Sequence, residues 1–168
     1  MNIVKTMMAA AFAAMTMMTV SCEKNETPEP VEVQLEVNAN NISGKWQLVE
    51  WNESALMDGT YVYVEFFRND KTYTMYQNID SFNDIPHVVT GSFFLQVEGV
   101  TFGEGDESVS TQCTVIRGNY DHDSGDWAHR YIVKSLTADK MVWIAKDDHS
   151  FIQCYERVAE IPEEVAGN

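Results

Sequence analysis

Tyr61-Val62-Tyr63-Val64-Glu65-Phe66-Phe67, then Arg68-Asn69-Asp70, then Lys71-Thr72-Tyr73-Thr74-Met75-Tyr76-Gln77: the fold is decided in this stretch. Its apolar residues recur with period two, the spacing of a strand whose side chains alternate between faces. Val62, Val64 and Phe66 fall on one face, and Tyr61, Tyr63 and Phe67 on the other. After the polar break, Tyr73, Met75 and Gln77 oppose Thr72, Thr74 and Tyr76. Two such runs around a short polar turn read as a β-hairpin.

The same period extends outward in both directions. Trp46, Leu48 and Glu50 alternate with Gln47, Val49 and Trp51, and further runs follow at Val88–Val97, Val109–Gly118, Arg130–Leu136, Met141–Ala145 and Phe151–Tyr155. β-branched and aromatic residues dominate them, as strands prefer. Asp123-Ser124-Gly125-Asp126, Ala138-Asp139 and Asp147-Asp148 punctuate the runs. Only Ala138–Lys146 is breaker-free enough to be mistaken for a helix. Eight short strands at regular spacing predict an all-β sandwich or barrel. Large apolar residues on both faces of several strands point to an enclosed cavity, a sticky exterior or tyrosines packed at a rim.

Ahead of the strands lies a different kind of sequence. Lys5 is the only charge before Glu23, and an apolar stretch from Met7 to Val20 follows it. A basic start and a brief apolar segment form the layout of a secretory signal, and the stretch is too short and Ala/Met-rich for a membrane span. Thr19-Val20-Ser21-Cys22 resembles the lipobox of bacterial lipoprotein signal peptides, with a small residue before the cysteine and Thr19 departing from the usual leucine-like residue. That resemblance implies cleavage after residue 21 and acylation of Cys22, with several chains giving stable anchoring. From Cys22 to Asn40 the chain carries five glutamates, Pro28 and Pro30, a composition that extends and stiffens it. The expected organisation is a signal peptide over 1–21, an acidic tether over 22–40 and a domain over 41–168. Val31, Val33, Leu35 and Val37 alternate with polar residues, so the end of the tether is a candidate edge strand.

Ile42-Ser43-Gly44-Lys45-Trp46 opens the first strand and resembles the Gly-x-Trp signature of lipocalin-like barrels. Tyr61–Tyr76, Gly118-Asn119-Tyr120 leading through Asp121 to Trp127, Tyr155-Glu156-Arg157 and Ile161-Pro162-Glu163 are similar to the lipocalin-like lipoproteins of Bacteroidetes. The resemblance implies an eight-stranded antiparallel up-and-down barrel, with Trp46 plugging its closed end. It also implies an address in the cell envelope, at the periplasmic face or outer surface of the outer membrane. Such small barrels are filled by side chains or hold one small ligand.

The formal net charge of −15, from 26 acidic and 11 basic residues, argues against nucleic-acid binding, which draws on Lys and Arg. Asp121-His122-Asp123-Ser124-Gly125-Asp126 with His129 is the one candidate metal cluster, but Gly125 stands where a calcium loop needs oxygen, and the residues suit a polar turn better. No metal or cofactor is therefore expected. Cys113 and Cys154 lie in different strands and read either as a disulfide or as two buried thiols. No nucleophile elbow, zinc motif or phosphate loop is present, so no catalytic residue is named.

These readings converge on a non-enzymatic, membrane-anchored barrel that binds a small hydrophobic molecule or a glycan fragment. Tyr63, Phe67, Tyr73 and Met75 are the candidate ligand residues, and Trp46, Trp127 and Trp143 are expected to be structural anchors. The alternative is a barrel packed solid, whose exposed aromatics meet a protein partner in a surface complex.

Overall fold

A computed structural model of the chain describes residues 32–79, 87–103 and 107–167. The signal segment, Cys22 and the first part of the tether lie outside them. Within the compact unit Glu32–Asn168, a short helix α1 (Ala39–Ile42) precedes nine strands. They are β1 (Gly44–Trp51), β2 (Ser54–Ala55), β3 (Val62–Phe67), β4 (Thr72–Gln77), β5 (Val88–Phe102), β6 (Val109–Gly118), β7 (Tyr131–Leu136), β8 (Lys140–Ala145) and β9 (Ile152–Val158). A second short helix, α2 (Glu163–Ala166), follows.

Each long strand pairs antiparallel with the next, and β9 returns to pair with β1. The eight long strands therefore close an up-and-down barrel, whose shortest seam is the β6–β7 pairing. Its decisive hairpin pairs Val64 with Met75 and Phe66 with Tyr73. β2 is the one strand absent from the sequence pattern. It forms a two-residue hairpin with β1, in which Asn52 and Glu53 take φ of 50° and 63°. Left-handed turns of this kind match the twist of the flanking strands. Asn52 is held there by two bonds to Ile152, donating its N–H to the carbonyl and accepting the amide at Oδ1, both 2.8 Å.

The core lies inside the barrel. Trp46, Leu48, Val62, Val64, Phe66, Tyr73, Val89, Phe93, Ile116, Met141 and Trp143 are all buried in one cluster. Two register shifts complicate the alternation. Leu48 pairs with Tyr155 but Glu50 pairs with Cys154, so β1 carries one extra residue there. The extra residue brings Trp51 to the inner face, opposite the expectation from strict alternation. A matching shift between Val133 and Ser135 turns Leu136 inward. One added residue reverses the face of everything beyond it.

β5 runs to Phe102 rather than ending at Val97, because β5 and β6 stay paired from Phe93–Gly118 to Phe102–Val109. β6 meets β7 only at Val115–Ile132 and Ile116–Tyr131. The far half of the β5–β6 hairpin leaves that edge and packs outside the barrel. There Val100, Val115 and Ile132 form a second cluster with Phe102 and Cys113, and Phe102 stacks on His149. Glu98 in this hairpin pairs with Lys146 and with Arg130 at 3.2 Å. The Lys146 hydrogen bond holds the Glu98 carboxyl below the usual carboxylate range.

The β7 edge left open is covered from the N-terminal side. Leu35 donates to the Leu136 carbonyl at 2.7 Å, and Gln34 Oε1 accepts from Ser135 Oγ and the Leu136 amide. Leu35 and Val37 pack against the main core. Residues 32–40, assigned to the tether by composition, thus belong to the compact unit. Their alternating apolar residues meet a strand edge whose backbone groups need partners.

Candidate functional site

The two ends of the barrel are built differently. At one end α1 lies under Trp46, which is fully buried and donates its indole N–H to the Ile42 carbonyl at 2.7 Å. The Arg157 guanidinium sits 4.1 Å over the Trp46 ring, a cation–π contact. The same guanidinium donates to the carbonyls of Ser43, Asn41 and Ala138. Gly44 has φ of 117°, and a Cβ there would stand 2.6 Å from an Arg157 nitrogen. Both the backbone conformation and the space therefore demand glycine, which gives the Gly44-Lys45-Trp46 signature a physical reason.

Toward the other end the core opens into a cavity of about 610 Å³. It is bounded by Leu48, Val62, Val64 and Met75 deeper in, and by Trp51, Leu56, Met57, Ile79 and Ala128 toward a mouth where Met57 is exposed. A wall of rings completes it: Tyr73, Tyr120, Trp127, Tyr131, Trp143 and Tyr155. The volume and the apolar, aromatic lining are those of small-molecule sites.

The ring wall is held by hydrogen bonds and glycines. Tyr73 donates its hydroxyl to the Asn119 carbonyl at 2.9 Å and accepts the Trp127 indole N–H at 2.8 Å. Gly118 lies beneath Trp127, where a Cβ would come 2.3 Å from the ring. Gly91 lies against Asn119 and the Tyr73 ring in the same way. The Gly118-Asn119-Tyr120 and Trp127 pattern thus reflects one joint. Tyr155 donates to Gln153 Oε1 at 3.1 Å. Burial pushes the phenols of Tyr73, Tyr131 and Tyr155 upward, so all three stay protonated at neutral pH.

Of the four residues expected at a ligand, Tyr73 and Met75 line the cavity, and Tyr63 and Phe67 do not. The β3 register turns Val62, Val64 and Phe66 inward, which sends Tyr63 and Phe67 outward. Phe67 is 40% exposed at the strand end. Tyr63 is buried outside the barrel, where burial and then the charge of Glu164 on α2 raise its phenol. Trp46 is buried against α1, away from the cavity, whereas Trp127 and Trp143, also expected to be anchors, form part of the cavity wall. Trp51, Tyr120, Tyr131 and Tyr155 were not anticipated. Trp51 depends on the β1 register shift, and the others required knowing which strands close the ring.

The acidic segment after Gly118 is a turn. Asp123 Oδ1 accepts from the Gly125 amide at 2.8 Å, Asp121 accepts from Thr90 Oγ1, and Asn119 bridges to Asp126. His129 turns away to Asp147 at 3.1 Å, and that bond lowers the Asp147 carboxyl. Among the described residues no group of three or more His, Cys, Asp and Glu is placed to hold a metal ion. Cys113 and Cys154 are free thiols. Burial and then Glu50 raise the Cys154 thiol, the opposite of an activated nucleophile.

No protein-family model, curated protein or solved structure matches the chain. The barrel therefore rests on strand pairing alone. No helix among the described residues is long and apolar enough to cross a membrane.

Proposed function

We propose that this chain is a lipid-anchored, non-enzymatic binding protein that holds a small hydrophobic molecule inside its barrel. The cavity of about 610 Å³ carries the reading. Its lining is mainly apolar and ringed by aromatic side chains, of which Tyr73 and Trp127 are bonded to each other and Tyr155 to Gln153. A barrel serving only as a protein-docking module has no need of such a space, and a side-chain-filled core is the arrangement that alternative predicts. The resemblance to lipocalin-like lipoproteins supports the same function, and the segment ending in Cys22 supports the anchor.

The cavity is tested by filling it. Met75 sits mid-wall, paired with Val64 and Val89. Met75→Trp should reduce affinity for the neutral fluorescent probe N-phenyl-1-naphthylamine by about tenfold or more, which corresponds to at least ~1.4 kcal/mol. Unchanged probe binding in a folded variant would place the probe elsewhere, for example at exposed Val97 and Val109 on the β5–β6 hairpin. The anchor is tested separately by Cys22→Ala in the expressed precursor. The variant should move from the detergent-rich to the aqueous phase on Triton X-114 partitioning, and retention in detergent would contradict acylation at Cys22.

A further inference from the structure

A buried amide stands in the cavity wall. Gln153 lies on the inner face of β9, in register with Trp51 of β1 on one side and Trp143 of β8 on the other, and is 7% exposed. Its Oε1 accepts from the Tyr155 hydroxyl at 3.1 Å. That hydroxyl has no other acceptor among the described residues, which fixes the amide this way round. Turned over, the amide would leave a buried phenol proton unpaired. The Gln153 amide nitrogen therefore keeps its N–H groups without a partner among the described residues. It is not sealed inside the protein, as the unpaired indole nitrogen of Trp143 is. On a buried side chain that faces inward and lines the cavity, the space this nitrogen reaches is the cavity. A pure hydrocarbon filling that space would strip water from the amide and give nothing back, which costs affinity. A ligand with an acceptor oxygen replaces the lost bond.

The rest of the lining sets the charge of that molecule. None of the described residues lining the cavity is Asp, Glu, Lys, Arg or His. An ionised headgroup entering here would lose its hydration with no countercharge to replace it. The protein also carries a formal net charge of −15, which repels anions in particular. We propose that the ligand is an uncharged molecule bearing a carbonyl, ester or ether oxygen that accepts the Gln153 amide N–H, and neither a bare hydrocarbon nor a free fatty acid. This rests on the binding function proposed above and narrows its ligand class.

Two matched pairs of compounds test it. Fluorenone and fluorene are alike except that one carries a carbonyl oxygen where the other has a methylene. Titration of the wild-type protein should give fluorenone about fivefold or more tighter than fluorene, the worth of one buried hydrogen bond. Gln153→Met keeps an unbranched side chain and a weak acceptor for Tyr155 but has no N–H. It should bring the two compounds within about twofold of each other, with fluorene itself changed by less than about threefold. Methyl laurate and laurate differ in charge, and at neutral pH the ester should bind about tenfold or more tighter than the carboxylate. A ¹⁵N-labelled wild-type sample gives a readout that needs no variant: one glutamine side-chain NH₂ pair should shift downfield with fluorenone and not with fluorene. Equal affinities for fluorenone and fluorene with no such shift, or laurate binding tighter than its ester, would overturn the assignment of ligand class. Binding of N-phenyl-1-naphthylamine that is lost in Met75→Trp would in that event leave the binding function standing, whereas failure of all these compounds to bind would remove both.

Discussion

Trp46→Ala should lower the melting temperature of the barrel by roughly 10–17 °C. Truncating a fully buried tryptophan costs about 3–5 kcal/mol, from lost burial and from the cavity left behind. For the compact unit Glu32–Asn168, each kcal/mol is worth roughly 3–4 °C. The upper half of the range is expected because Trp46 is where several separate elements meet. Its N–H satisfies a carbonyl of α1, and its ring supports Arg157, which ties Asn41 and Ser43 to Ala138 in the β7–β8 turn. Removing the ring leaves the guanidinium over a void. A thermal melt followed by circular dichroism reads the effect, and a shift under about 3 °C would show that this end of the barrel is not held as described.

Gly91→Ala should cost about 2–4 kcal/mol and weaken ligand binding as well. A Cβ at this position would stand 1.8 Å from the Asn119 carbonyl oxygen and 2.9 Å from the Tyr73 ring. The nearer atom is backbone, so a side-chain rotation cannot relieve the clash. Asn119 must move, which strains its bond to Ser92 and the bond it accepts from Tyr73. Overpacking of this kind costs about 1–3 kcal/mol, and each weakened hydrogen bond adds up to about 1. Tyr73 in turn holds Trp127, so the ring wall shifts with it. Gly99 on the same strand is the control: a Cβ there meets its nearest atom at an ordinary 3.7 Å. Gly99→Ala should leave stability within about 0.5 kcal/mol and probe affinity unchanged. Equal behaviour of the two variants would refute the close approach at Gly91.

The strands were legible because period-two patterning and polar turns are local signals. The faces were harder. In β3 both Val62/Val64/Phe66 and Tyr61/Tyr63/Phe67 are apolar, and nothing in the segment says which set points inward. Pairing with β1 and β4 decides it. Trp51 departs from strict alternation because of one extra residue in β1, which leaves no mark in composition. β2 was missed because two residues are too few to show a period. The long β5–β6 hairpin was cut short at Val97 because its outer half packs outside the barrel, against an apolar cluster on neighbouring strands. Tyr73 and Met75 line the cavity because the β4 register pairs them with the inward Phe66 and Val64.

The most direct test is native mass spectrometry of the protein after exposure to a lipid and metabolite extract of the source cells, run beside Met75→Trp. The account predicts a reproducible adduct of defined mass on the wild type and its loss from the variant. The apo mass alone on the wild type, or the same adduct on both proteins, would contradict a ligand held in the barrel.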